Sequence, residues 1–201
     1  MRIPPAPIAA AFLLALAGCA GLSSAPPPNA GSATEVSRSA EQGGKFTAFL
    51  GPRRQHAPPF LGVPGTNFHA LRSWLDTRTG ERVHQLYVAD SYFGAERNWE
   101  AARDKDGKKL RFIAISKNEI TCDNGCSYAE EFAAELPEPL MRASVQGLAV
   151  SFTAKSGAEQ TIIEPGDLIQ KQLAAVDAAR ATLPVAAAAP PPNPPPPNPL
   201  R

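Results

Sequence analysis

Cysteine and histidine are scarce in this chain of 201 residues, with three of each. Three cysteines exclude a disulfide-dense scaffold, which needs several bridges in a short chain. The histidines, His56, His69 and His84, never fall at i, i+3 or i, i+4, and no His-Glu-x-x-His occurs, so no helix-borne zinc site is written here. Gly-x-Ser-x-Gly, a phosphate-cradling glycine loop and a dinucleotide fingerprint are all missing. An excess of either charge is missing too: 20 Lys and Arg stand against 19 Asp and Glu. A nucleic-acid binder normally needs a basic surplus, so nucleic acid is not an expected partner. No repeat with a period of about 20–50 residues is present. The apolar run Ile8 to Leu16 is nine residues long. As a helix it rises only about 14 Å, short of a hydrocarbon core of roughly 30 Å.

That run is nonetheless informative. Arg2 precedes it, and the small residues of Leu16-Ala17-Gly18-Cys19 close it. A basic start, a short apolar stretch and small residues at its end make a removable secretory signal. The sequence Leu16-Ala17-Gly18-Cys19 resembles the lipobox of Gram-negative bacterial lipoproteins. The resemblance implies that residues 1–18 are cleaved, that the Cys19 thiol takes a diacylglycerol group, and that its new amino group is acylated with a chain such as palmitate. Two or three chains anchor far more firmly than one, at about 0.8 kcal/mol per buried methylene. Ala20, rather than Asp, follows the cysteine. In lipoproteins that implies sorting to the outer membrane, with the domain in the periplasm. The remainder resembles uncharacterised envelope lipoproteins, a likeness that carries no activity.

Cleavage leaves 183 residues (201 less 18) with 19 basic and 19 acidic side chains, since the signal holds one basic residue. That length suits one domain with tails. Residues 19–45 read as the lipidated cysteine and a flexible tether. Residues 20–44 are rich in Ala, Ser, Gly, Pro and Asn, too poor in apolar surface to offset their ordering entropy. Residues 46–183 read as a single β-rich domain. Residues 184–201 contain nine prolines in 18 positions and read as a disordered tail, extended as polyproline II over 190–199.

Within the domain, residues 45–66 are expected to form an irregular segment laid across it, with room for one short strand. Phe68 to Leu75 and Val83 to Phe93 read as strands around a turn at Asp76-Thr77-Arg78-Thr79-Gly80. Period two places His84, Leu86 and Val88 on one face of the second strand. A third strand passes through Trp99. Asp106-Gly107 predicts a two-residue hairpin with both turn positions at positive φ. Leu110 to Ile120 then reads as one central strand with both faces partly buried. Ser127 to Leu136 fits a helix, through Tyr128, Phe132 and Leu136 at spacing four, or a strand. Its position after a tight cysteine loop favours the strand. Leu148 to Ala154 and Glu159 to Ile163 form a hairpin. Pro165 opens a helix of about 16 residues through Ile169, Leu173 and Val176. The expected class is mainly β (α+β): an antiparallel meander or sheet with one C-terminal packing helix between disordered tails.

With Cys19 lipidated, Cys122 and Cys126 remain as an even pair in an oxidising compartment, and one local disulfide is expected. Asn124-Gly125 can turn the chain enough to bring them together. The alternative use is metal or thiol-redox chemistry. Cys-x-x-x-Cys resembles copper-handling proteins of the thioredoxin fold, where a distant histidine completes the site; here that would be His84. The chain lacks the alternating βαβ pattern of that fold, and Ser127 rather than proline follows Cys126. Ser73, Ser91 and Ser116 read as ordinary strand serines. Glu130, Glu131 and Glu135 read as a solvated face, catalytic only if buried and coupled. No catalytic residue and no cofactor are expected. Arg103, Lys105, Lys108, Lys109 and Arg111 gather around one hairpin and could meet lipid or lipopolysaccharide phosphates. The expected function is therefore a membrane-anchored, non-catalytic envelope lipoprotein that binds or scaffolds another envelope component, such as an envelope protein or lipopolysaccharide. The alternative is periplasmic copper or thiol-redox handling through Cys122 and Cys126.

Overall fold

The computed structural model describes residues 35–123 and 125–183. The signal and lipobox at 1–19, the tether up to residue 34 and the proline-rich tail at 184–201 lie outside the described residues. The described chain runs β1 (Ser37–Glu41), β2 (Phe46–Leu50), β3 (Arg54–Gln55), β4 (Phe68–Asp76), β5 (Arg82–Phe93), β6 (Trp99–Asp104), β7 (Lys109–Leu110), β8 (Phe112–Thr121), β9 (Ser127–Glu135), α1 (Glu138–Ala143), β10 (Leu148–Ala154), β11 (Glu159–Glu164) and α2 (Gly166–Ala181). The protein is mainly β, with all pairings between these strands antiparallel. A seven-stranded sheet has the order β1-β2-β4-β5-β9-β8, with β3 pairing on β4; a four-stranded sheet has the order β11-β10-β6-β7.

Period-two patterning decides which face is buried. On β5, His84, Leu86, Val88, Asp90 and Tyr92 are buried, whereas Val83 and Phe93 at its ends are exposed. On β9 the matching row is Tyr128, Glu130, Phe132 and Ala134. Opposite them the smaller sheet presents Trp99, Ala102, Val150, Phe152 and Ile162. Phe132 sits at the centre, its ring 5.0 Å from Phe152, 5.2 Å from Trp99 and 5.8 Å from Phe112. The larger sheet is wider than its partner, and α2 lies against the remaining strands, joining Val176 and Ala179 to Phe49 of β2 and Leu75 of β4. Burying each such large side chain contributes about 1.5–3 kcal/mol. At the start of α2, a Cβ on Gly166 would stand 1.8 Å from the Val145 carbonyl oxygen, so the close approach admits only glycine.

The strands expected over 68–75, 83–93, 148–154 and 159–163 are present, the α2 helix has the expected length, and Ser127 to Glu135 is a strand. Four readings need correction. The domain begins at β1, not at residue 46. All five residues of β1 are exposed, so it is held by its backbone ladder to β2 and shows no apolar alternation. Residues 45–66 hold the strand β2 and the short β3. The stretch from Leu110 to Ile120 is two strands in two sheets: β7 pairs with β6, the chain passes over at Arg111, and β8 forms the edge of the larger sheet. Beyond Phe112 and Ile113, β8 is mostly exposed, as an edge permits. The Asp106 hairpin is longer than two residues. Only Gly107 takes positive φ (77°), while the Asp104 carboxylate accepts the amides of Asp106 and Lys108.

Phe132→Ala is expected to cost about 3–5 kcal/mol in urea denaturation. Ile115→Ala, on the exposed β8 edge, should stay within about 0.5 kcal/mol of the parent. Equal losses at both positions would contradict this placement of the core.

Candidate functional site

The polar side chains of the inner face form three buried clusters. Asp90 of β5 and Glu130 of β9 are directly opposite in register and only 4 % and 5 % exposed. Two carboxylates in a core require donors, because each carries a desolvation penalty of several kcal/mol. The segment between β5 and β6 supplies most of them. Glu130 accepts the Asn98 amide at 3.0 Å, the Trp99 amide at 3.1 Å and the Tyr92 hydroxyl. Asp90 accepts Arg97 Nη1 at 2.7 Å and Trp99 Nε1 at 3.0 Å, with His56 Nε2 at 3.7 Å. The Arg97 amide donates to the Tyr92 oxygen at 2.8 Å. Asn98 takes φ 57°, a left-handed conformation that asparagine tolerates better than most residues. Burial raises the Asp90 carboxyl, but His56, Arg97 and Trp99 outweigh it and hold the group below the usual carboxylate range. Burial, and then the bond to Glu130, push the Tyr92 phenol well above its ordinary value, so it remains a donor.

The second cluster bridges the sheets: His69 Nε2 of β4 lies 3.3 Å from Glu164 Oε2 of β11, both almost fully enclosed. The His56 and His69 rings are 6.2 Å apart. The third lies under α2. Ser73 Oγ and His84 Nδ1 are 2.8 Å apart, and Gln172 Nε2 donates to Ser73 Oγ at 2.9 Å and to the Phe49 carbonyl at 3.2 Å. Burial lowers the His84 imidazole below its ordinary value. A serine beside a histidine is half of a nucleophile arrangement. Ser73 is 0 % and His84 2 % exposed, however, so no substrate reaches them in the packed state.

The reading of Glu130 as part of a solvated face is overturned, while Glu131 and Glu135 are half-buried. Glu130 alternates in phase with Tyr128, Phe132 and Ala134, and Asp90 with Leu86 and Val88. That phase is the signal that could have found both. Gln172 shares the buried face of α2 with Ile169 and Leu173, where an apolar residue would be expected. Ser91 and Ser116 are half-buried strand residues.

Cys122 and Cys126 are joined by a disulfide at the β8–β9 turn. The Gly94 amide donates to the Cys126 carbonyl, and Phe93 pairs with Ser127, which fixes the turn beside the end of β5. His84 lies nine residues back along that strand, about 30 Å away at 3.3 Å per residue. The structure therefore does not bring His84 to the cysteines. Among the described residues no cluster of three or more His, Cys, Asp or Glu side chains is arranged to hold a metal.

Solvent-facing concavities reach the carboxylate cluster: one of about 340 Å³ is lined by Arg53, Tyr87, Asp90, Glu130 and Glu131. A cleft of about 470 Å³ opens between β6 and the free edge of β8, floored by Trp99, Phe112, Phe132 and Glu130 and flanked by Lys117 and Lys155. Its volume is within the range of small-molecule sites. Lys117 Nζ donates to Glu96 at 2.7 Å and to Asn98 Oδ1 at 2.9 Å, tying the rim to the segment that Glu130 holds. A further cleft of about 500 Å³ runs beside the basic hairpin, lined by Lys108, Lys109, Arg111 and Pro139. Arg103, Lys105, Lys108, Lys109 and Arg111 are all exposed, with Arg111 paired to Glu135 and Lys105 to Asp106, both at 2.8 Å. No helix among the described residues is long and apolar enough to cross a membrane. No family model, curated protein or solved structure matches this chain.

Asp90→Asn keeps the shape of the carboxylate but not its charge, and is expected to cost about 2–4 kcal/mol. Two buried groups with lowered pKa values, His84 and Asp90, contribute to the acid response, alongside Asp76 and the exposed Glu96, which are also lowered. The His84 contribution is complete above the unfolded histidine value near 6.5 and is lost as pH falls below it. The Asp90 contribution is complete above the unfolded aspartate value near 3.9 and is lost as pH falls through its lower folded value. Urea midpoints measured from pH 8 to pH 3 should thus decline in two stages, the later one shallower in Asp90→Asn. A profile identical in the two proteins would contradict the charged state of Asp90.

Proposed function

We propose that the protein is an outer-membrane lipoprotein of a Gram-negative envelope, held by acyl chains on Cys19, with its domain in the periplasm. It binds or scaffolds another envelope component, an envelope protein or lipopolysaccharide, rather than catalysing a reaction. The observation that carries this is Leu16-Ala17-Gly18-Cys19 at the end of the apolar run from Ile8, in a chain whose other two cysteines are bonded to each other. The inner polar groups add support, since the Asp90 and Glu130 carboxylates are engaged by donors of the fold itself. Faces open to a partner include the cleft between β6 and β8 and the basic hairpin.

Expression of the full chain in a Gram-negative host with labelled palmitate tests the anchor. Label on the parent and none on Cys19→Ser, with the variant moving from the membrane to the soluble periplasmic fraction, is the expected result. Label that persists in Cys19→Ser, or none on the parent, would overturn the reading. Intact mass should show Cys122 and Cys126 roughly 2 Da below the dithiol state, with no copper adduct after copper addition. The pair Cys122→Ser and Cys126→Ser should cost no more than about 1–2 kcal/mol. A stoichiometric copper adduct on reduced thiols would instead favour metal handling.

A further inference from the structure

One end of the sandwich carries a group of exposed apolar side chains. Phe93, at the end of β5, is 61 % exposed, and the Phe60 ring lies against it with centres 4.7 Å apart. Leu61 and Val63, in the same turn as Phe60, are 69 % and 52 % exposed. The turn is firmly built. Thr66 Oγ1 accepts the Phe60 amide and donates to the Val63 carbonyl, each at 2.8 Å, and Asn67 Nδ2 donates to the Pro58 carbonyl at 2.9 Å. Leu61 stands at φ 51°, the left-handed region that residues with a Cβ avoid. A rigid turn thus holds a strained residue where its apolar side chain meets solvent. Single exposed apolar residues are ordinary, whereas a contiguous group marks an interaction surface.

Two features identify what covers this end. The first is the path of the chain. Ser37 is level with Leu50, Arg72 and Gln85, and Glu41 is level with Phe46 and Asp76, farther from Phe93. β1 therefore runs away from the apolar end, and Ser37 is its residue nearest that end. The climb from Gln85 to Phe93 is about 26 Å. The sixteen residues between Cys19 and Val36 span at most about 55 Å. A bilayer holding Cys19 can accordingly meet the Phe93 end. The second is charge. Arg53 and Arg54 are exposed beside the turn, suited to lipid phosphates. The acidic groups at this end are Asp123 and Glu119 of the adjoining β8–β9 turn, Glu96, which Lys117 holds, and Glu131, which lines the same cleft as Arg53.

We propose that this end docks on the bilayer surface: Leu61, Val63 and Phe93 enter the boundary between headgroups and acyl chains, while Arg53 and Arg54 meet lipid phosphates. The docking rests on the lipoprotein reading for its bilayer, and the test separates the two. The acylated full chain is reconstituted in vesicles of phosphatidylethanolamine and phosphatidylglycerol with brominated acyl chains. Tryptophan is introduced by Leu61→Trp, by Val63→Trp, or by Ile163→Trp at an exposed site on the smaller sheet (69 % exposed). Circular dichroism confirms that each variant is folded. Relative to the parent, emission from positions 61 and 63 should shift to the blue and be quenched at least about twofold more than emission from position 163. Vesicle-bound protein with no quenching at 61 and 63 would overturn the docking and leave the anchor standing. A full chain that the host leaves unacylated at Cys19, yet that binds vesicles through 61 and 63, would keep the docking and overturn the anchor. Burial of position 61 in a crosslinked second copy, without lipid quenching, would replace the bilayer with a dimer and end the proposal.

Discussion

Two carboxylates set side by side in the core, Asp90 and Glu130, are the constraint on which the rest of this structure depends. Neither could remain there alone, because an unpaired buried ion costs several kcal/mol. Their donors come chiefly from one short segment: the amides of Asn98 and Trp99, the Trp99 indole and the Arg97 guanidinium. That segment is also where the chain leaves the larger sheet for the smaller one. Satisfying the carboxylates therefore fixes the first crossing between sheets, places Trp99 against Phe132, and shapes the rim of the cleft between β6 and β8. The left-handed Asn98 is the backbone adjustment that aims two successive amides at one carboxylate.

The same economy governs the histidines. His69 meets Glu164 across the two sheets, and His84 meets Ser73 beneath α2. This polar chemistry is turned inward, although the His56 and His69 ring nitrogens, His84 Nε2 and Gln172 Oε1 are buried without a hydrogen-bond partner. What faces solvent is of another kind: a cleft at a sheet edge, a basic hairpin, and a strained turn that presents apolar residues. Those are features suited to contact with a partner or a surface. They agree with the proposed lipidation of Cys19, which would confine the domain to the neighbourhood of a bilayer.

Most of the fold was legible because the strands obey period two and are separated by turn chemistry. Val83 to Phe93 and Leu148 to Ala154 show this well, and Pro165 marks the start of α2. β1 was not legible, since a wholly exposed edge strand such as Ser-Arg-Ser-Ala-Glu is held by main-chain bonds that leave no side-chain pattern. The division of 109–121 between two sheets was hidden because Leu110 and Phe112 are both apolar, and only the tertiary fold decides which sheet each joins. The buried carboxylates were half legible. Asp90 and Glu130 lie in phase with the apolar residues of their strands, but carboxylates in a strand are usually solvated. Their donors, two backbone amides and an indole in a loop, leave no signature in composition. The cysteine pair was legible from its parity and the tight turn between its members, whereas the 30 Å that separates it from His84 could only come from the register.

Amide hydrogen exchange of the native protein tests the carboxylate latch most directly. If Asp90 and Glu130 hold the crossing, the amides of Asn98 and Trp99 should exchange as slowly as those of Val88 and Phe132 in the central ladder, through global unfolding alone. Exchange of Asn98 and Trp99 at the rate of exposed loop amides, with the ladder still protected, would contradict it. The segment would then be a mobile flap over open carboxylates, and the inner polar row would have to be read as a reactive site.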